Sequence, residues 1–310
     1  MAASDSDNHA VAEITARRER DDAVVPGGAM AAAGTALPVA STLGSFGPAV
    51  VGGIVQAWCM TDFQGYAGAR SELDVIDVSF DFRSDTPPGK DPDSHSPTLR
   101  RFHQLLWSKP LPDGRRIEWD TTQTWRYLHH RSSIGEFFLS SDAVMASYAR
   151  WVRMRDIISQ LTPEQIEEFD TLGYTMGGMM VWPSDRREGV HTINSERGFN
   201  SRISDRMDLT MECVRRYYQG QDSPLSRTFD AYSEFFDLFT DFEGFTDFFL
   251  LDDLLDPHSG DVTFFMPFHD FDGPSRPTDL AEYMDFREAS MDFIRARNRR
   301  ISAWAPSEAN

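Results

Sequence analysis

The chain predicts an α+β fold: a single helix-rich domain with a small mixed or antiparallel sheet. Three observations point there. Helix-like and strand-like segments are mixed without the regular strand–helix–strand rhythm that builds a doubly wound parallel sheet. The strand-like segments are short, whereas several helical ones open on capping residues. With 310 residues, 40% apolar and 12% aromatic, the chain can bury one large core.

Residues 74–83 alternate polar and apolar side chains through Phe80 and Phe82, as a half-buried strand does. The turn-dense loop SDTPPGKDPDSHS follows. Ser96 then caps a helix with Pro97 at its first position and Leu99, Phe102, Leu105 and Leu106 on its apolar face. Residues 116–119 and 135–139 read as short strands. From Asp142 the period becomes helical through Val144, Tyr148, Trp151 or Val152, and Ile158, with Ser140, Ser141 and Asp142 at the cap. Thr162-Pro163-Glu164-Gln165 forms a capping box. Residues 177–182 and 190–193 read as strands, and Gly177-Gly178 lets two backbones pack closely. Ile203, Met207, Met211, Val214 and Tyr218 mark a long helix from near Ser201 to Gly220. A phenylalanine-rich helix begins at Pro224 and breaks near Gly244. Residues 262–268 form the last strand. Asp279-x-x-Glu282 caps a C-terminal helix to about Ile301.

The first 59 residues do not read as a domain. No charge occurs between Ala23 and Thr61, and Pro26, Pro38, Pro48 and seven glycines interrupt that stretch. Its best apolar run, residues 49–58, is too short to span a bilayer and holds a Gly52-Gly53 pair. Glu19, Asp21 and Asp22 stand where a signal peptide would be basic. Residues 1–59 are therefore expected to be a disordered extension or the product of a misplaced start codon, with Met60 the alternative start. Residues 74–301 form the globular domain, and 302–310 a flexible tail.

Thirty basic residues against 49 acidic ones give a net charge of −19. Such a surface repels phosphate backbones, so non-specific nucleic-acid binding is not expected. Cys59 and Cys213 stand in unrelated contexts without a CxxC or Cys/His neighbour set, which argues against a disulfide framework or a zinc site. A soluble protein of the reducing cytoplasm, without a membrane partner, is the natural reading. No pattern identifies a cofactor.

Residue usage marks the candidate site. The chain has 28 arginines but two lysines, Lys90 and Lys109, and five asparagines. A coding bias that converts lysine to arginine wherever arginine is tolerated would leave the survivors where a compact ammonium or an amide is needed. Both lysines sit in proline-rich loops, and Asn194 and Asn200 share INSERGFNSR. Arg197, Arg202 and Arg206 lie before or in the first turns of the helix expected from Ser201. The positive end of the helix dipole disfavours cations there, and Arg202 and Arg206 form a like-charge i,i+4 pair. An anion held by these arginines, with Gly198 allowing its approach and Asn200 orienting it, would offset the repulsion. Asp205 would then orient an arginine. The alternative is that the arginines meet the protein's own acids, since between Phe229 and Phe293 there are 17 acidic residues against Arg276 and Arg287.

His129 or His130 is the candidate general base. Neighbouring strand residues point to opposite faces, so the two cannot bind one metal, and no HxH or HExxH accompanies them. His103 falls on the polar side of its helix. No nucleophile elbow, Walker motif or GxGxxG is present.

The strings SFDFRSDTPPGKDPDSHSPTLRRFHQLLWSKPLPDG, YLHHRSSIGEFFLSSD, GGMMVWP and INSERGFNSRISDRMDLTMECVRRYY together resemble a family of bacterial proteins of unknown function, over residues 77–301. The resemblance implies no activity, cofactor or catalytic residue. Two functions stay level. One is a domain that binds or processes a small anionic ligand, such as a nucleotide or phosphate ester, through Lys90, Lys109, Arg197, Arg202 and Arg206. The other is an inhibitor-like or antitoxin-like module whose acidic C-terminal face meets a basic protein. Convergence of the cations on one cleft would favour the first; saturation by internal acids would favour the second.

Overall fold

Local capping chemistry starts several helices of the computed structural model, which describes residues 76–118, 128–146, 148 and 151–304. All of these belong to one compact unit. Helix α1 (Pro92–His95) leads directly into α2 (Pro97–Trp107). Between them the Ser96 hydroxyl accepts from Leu99 N at 3.1 Å and donates to Asp85 at 2.6 Å. Helix α2 buries Leu99, Phe102, Leu106 and Trp107. It also buries His103, which the helical period placed on the polar side.

Helix α3 (Val152–Ile158) precedes α4 (Pro163–Gly173), whose capping box is complete: Gln165 N donates to Thr162 at 3.2 Å and Thr162 N to the Gln165 side chain at 2.9 Å. Helices α5 (Ile193–Phe199), α6 (Met207–Tyr218), α7 (Ser226–Asp230), α8 (Ser233–Phe236) and α9 (Phe242–Phe249) follow, and α10 (Leu280–Trp304) closes the chain. No helix among the described residues is long and apolar enough to cross a membrane.

One antiparallel sheet in the order β1-β2-β3 completes an α+β fold, from β1 (His129–Ser132), β2 (Gly135–Ala143) and β3 (Met179–Pro183). The first half of β2 pairs with β1, His129 opposite Phe138. Its second half pairs with β3, Leu139 opposite Pro183 and Ala143 opposite Met179. The two glycines before β3 do permit close packing. A Cβ on Gly178 would lie 2.1 Å from the Gly173 carbonyl at the end of α4, and one on Gly177 would lie 2.8 Å from the Ile294 carbonyl of α10. The same junction is stapled by α10: Arg297 donates to the carbonyls of Gly177, Met179 and Phe249 at 2.6–3.0 Å, and Asn298 accepts Gly177 N at 2.7 Å.

Several elements differ from expectation. Residues 76–81 form turns leading to a 3-10 turn at Phe82–Asp85, not a strand. Asp77 accepts from Ser79 N and Asp81 from Arg83 N, both at 3.0 Å, and such side-chain bonds compete with a ladder. Residues 116–118 are not a strand, and 119 lies outside the described residues. Ser140, Ser141 and Asp142 belong to β2 and do not cap a helix, because β3 supplies their backbone partners. Residues 190–193 are a loop and the start of α5, with Thr192 accepting from Ser195 N at 3.3 Å. Helix α6 starts at Met207, since Ser204 and Asp205 hold positive φ of 49° and 64°. The phenylalanine-rich segment breaks at Thr240 (φ 69°), before Gly244. In residues 262–268 a single bridge, Leu255 to Val262, replaces the last strand. Residues 302–304, expected in the tail, are helical in α10. The expected N-terminal extension and residues 305–310 lie outside the described residues.

The phenylalanines of α8, α9 and the turn between them surround Trp107, with ring centroids 5.0–6.4 Å away. Their acidic neighbours Asp230, Glu234, Asp237 and Asp241 are exposed. This is the amphipathic arrangement the alternation of Phe and acid dictates.

Candidate functional site

The arginines that the sequence singles out go to two different environments. Arg197, in the last turn of α5, is fully buried. Its Nε donates to Thr210 at 2.9 Å and Nη1 to Asp142 at 2.8 Å, with the Trp182 ring 5.6 Å away. Asp205 donates its backbone N–H to the Arg197 carbonyl at 2.9 Å, and its carboxylate stands 3.7 Å from Nη2. Arg206 precedes α6 and is also buried. Nε and Nη2 both donate to Asp208, which accepts Phe265 N at 2.9 Å as well. The dipole conflict at this helix start is therefore met inside the protein by Asp208 in the first turn.

Arg202 turns outward instead. Nε donates to the Phe271 carbonyl at 3.2 Å and Nη2 lies 3.1 Å from Asp272. Asn200 shapes the turn: it accepts Arg202 N at 3.1 Å and donates to Glu196 at 3.1 Å. Asn194 donates to Ser140 on β2 at 3.3 Å. The lysines lie apart from these groups. Lys90 is exposed in its loop. Lys109 donates to the Asp247 carbonyl at 2.8 Å, between the Phe248 and Trp304 rings, and burial lowers its pKa.

His129 and His130 point to opposite faces of β1, as strand geometry requires, and both are buried. His129 Nε2 is 2.9 Å from Glu136 and its ring stacks 4.1 Å from Phe138. His130 packs on Trp107, and burial pushes its imidazole down to about 3. Burial and the nearby Arg297 likewise push His103 down to about 3. Both rings are neutral at neutral pH and weak as bases.

Arg202 reaches a cavity of about 620 Å³ between the start of α3 and the loop at residues 271–278. Arg153, Arg276, Trp151, Ser275 and Asp272 line it too. The loop is held in shape locally. Asp270 accepts the N–H groups of Asp272 and Gly273 at 2.9 and 3.1 Å, and Pro274 and Pro277 flank the Ser275-Arg276 pair. Ser275 ties it to the turn before α6, donating to the Ser201 carbonyl at 2.5 Å and meeting the Ser204 hydroxyl at 2.7 Å. Arg276 stands 4.0 Å over the Trp151 ring.

Sequence reasoning missed Arg153, Arg276 and Trp151. A signal for Arg276 was present: an arginine between two prolines, within the acid-rich stretch. A larger cavity of about 900 Å³ between α4 and α10 is lined by Glu164, Glu167 and Glu168 over Leu172 and Met291, with Arg295 bound to Glu168 at 3.2 Å. Its acids make it the poorer host for an anion.

Residues 76–301 match a protein family described as "Family of unknown function (DUF6994)". The chain belongs to this family. No curated protein and no solved structure matches it. Every cavity residue named above falls within the DUF6994 match, as do the candidate residues from Lys90 to Arg206.

Proposed function

We propose that this DUF6994 protein binds a small anionic, phosphate-bearing ligand in the cavity of Arg153, Arg202 and Arg276. The observation that carries the reading is the lining itself: three guanidinium groups against one carboxylate, Asp272, in a protein of net charge −19. Planar arginine forks suit phosphate and carboxylate oxygens. A volume of about 620 Å³ accommodates an organic ligand, not only a bare ion. The described lining residues, three arginines, aromatic rings, hydroxyls and one exposed carboxylate, support binding. Cys213, buried and free, fits the cytoplasmic setting read from the sequence.

Thermal melts of the protein with inorganic phosphate, sugar phosphates and nucleotides test this. A ligand at about 100 times its dissociation constant adds about 2.7 kcal/mol, or about 5–10 °C for a domain of this size. The shift should vanish in Arg276→Gln. No shift with any member of the panel overturns the reading.

The acidic interaction face retains one specific support. Burial, and after it the exposed carboxylates Asp237, Asp230 and Glu234, raise the pKa of the Tyr217 phenol. Polylysine binding at low salt, lost when Asp230 and Asp237 become Asn, would support that second role.

A further inference from the structure

Arg202 does not meet the cavity with its charge uncovered. Its Nη2 lies 3.1 Å from the carboxylate of Asp272, the one acid among the described lining residues. The two partners are held very differently. Arg202 is fixed at both ends: its backbone N–H donates to the Asn200 side chain at 3.1 Å, and its Nε to the Phe271 carbonyl at 3.2 Å. Neither bond involves Nη2, so the guanidinium keeps its place whatever stands at that nitrogen.

Asp272 is fixed only through its backbone, whose N–H donates to Asp270 at 2.9 Å. Its side chain is 86% exposed, and Arg202 is its one polar contact among the described residues. Exposed ion pairs of this kind are weak, because water solvates both partners nearly as well, and exposed side chains change rotamer rapidly. The Asp272 carboxylate can therefore turn into solvent without disturbing the loop that carries it. Carboxylate and phosphate oxygens make the same charge-assisted bonds to a guanidinium. Asp272 thus stands where the oxygen of an incoming anion would stand.

We infer that Asp272 is a resident counter-ion of the cavity, which an incoming anion displaces from Arg202. Binding is then an exchange: a ligand oxygen takes Nη2, and the Asp272 side chain turns to water. Asp272 weakens binding in two ways, by competing for Nη2 and by repelling the ligand's charge. It sets the ligand concentration at which the cavity fills. This rests on the anion-binding reading above and adds the control of its affinity.

Calorimetric titration of the full chain with inorganic phosphate tests the exchange. Asp272→Asn, which keeps the size of the side chain and removes its charge, should bind phosphate about three- to fivefold more tightly than the wild type, the scale of an exposed ion pair. Asp272→Ala should do the same and serves if the first variant fails to fold. Asp230→Asn removes an equal charge from outside the cavity and should change the affinity less than threefold. A gain below threefold in the Asp272 variants, or an equal gain in Asp230→Asn, overturns the counter-ion role while leaving the anion site standing. Phosphate binding by none of these proteins overturns both.

Discussion

Arg197, Arg206 and Arg297 are among the most deeply buried large side chains of the molecule, while Arg153 and Arg202 are exposed and, with Arg276, line a cavity. The buried three are committed to the fold. Two hold carboxylates, Asp142 and Asp208, and Arg297 is bound by three backbone carbonyls. Burial pushes the Arg297 guanidinium down to about 9, which leaves it cationic at neutral pH. A charge removed from water must find such partners or be expelled. The cavity arginines are exposed or half-buried, so water can solvate their charge. The difference teaches that an arginine conspicuous in sequence, through its place at a helix start, can be the one least able to reach solvent.

The contrast can be broken most sharply at Asp208. Asp208→Ala strands the buried Arg206 charge and should cost about 3–5 kcal/mol, seen as a fall in melting temperature of about 10 °C or more. A loss below about 1 kcal/mol would mean that Arg206 is not committed to the fold.

The surroundings of Arg297 can be probed through His103. Its folded pKa, about 3, lies below the ordinary value near 6.5, so the unfolded chain binds more protons in that window. Stability therefore rises with pH between about 3 and 6.5 and is lost as pH falls. Asp93, raised to about 7 by burial and by Asp91 and Asp142, titrates in the opposite sense, so the informative quantity is a difference. Relative to His103→Leu, the wild type should lose about 1.4 kcal/mol per pH unit below about 6, measured by denaturant melts. A difference that does not change with pH would place the ring in water.

A smaller effect is expected at Lys109, which is intermediate between the two arginine classes. Its side chain is 11% exposed, packed on Phe248 and Trp304 and bonded to the Asp247 carbonyl. Lys109→Ala should cost about 1–2 kcal/mol and leave phosphate-induced stabilisation intact.

The smallest stability change belongs to Arg202. Its pair with Asp272 has side chains 49% and 86% exposed, and such pairs contribute at most about 1 kcal/mol. Arg202→Ala should melt within about 3 °C of the wild type yet lose most of the phosphate-induced shift. Full retention of that shift would remove Arg202 from the site.

Much of the helical framework was legible because its signals are local. Ser96, Thr162 and Asp279 each cap the helix their spacing announced, with Glu282 N donating to Asp279 at 2.9 Å. The Phe–acid alternation likewise foretold a buried aromatic face and an exposed acidic one. Strands were harder to read. Residues 140–143 carry cap-like side chains, yet they pair with β3, nearly 40 positions along the chain, and no local property reports that partner. Residues 76–81 have a strand's alternation but no neighbour to complete a ladder, so their aspartates close turns instead.

The site divides along the same line. Arg202 was legible as one of three cations at an expected helix start, and it reaches the cavity. Arg153, Trp151 and Arg276 come from distant parts of the chain, and only the packing of the 271–278 loop on the turn before α6 brings them beside it. The sequence by itself determined the α+β class, the helix starts at Ser96, Thr162 and Asp279, the acidic composition and the family. Tertiary structure alone decided which arginines are spent on buried carboxylates and which face a cavity. The reason is physical: capping and periodicity act across a few residues, whereas the partner of a buried charge is whatever distant group the fold packs against it.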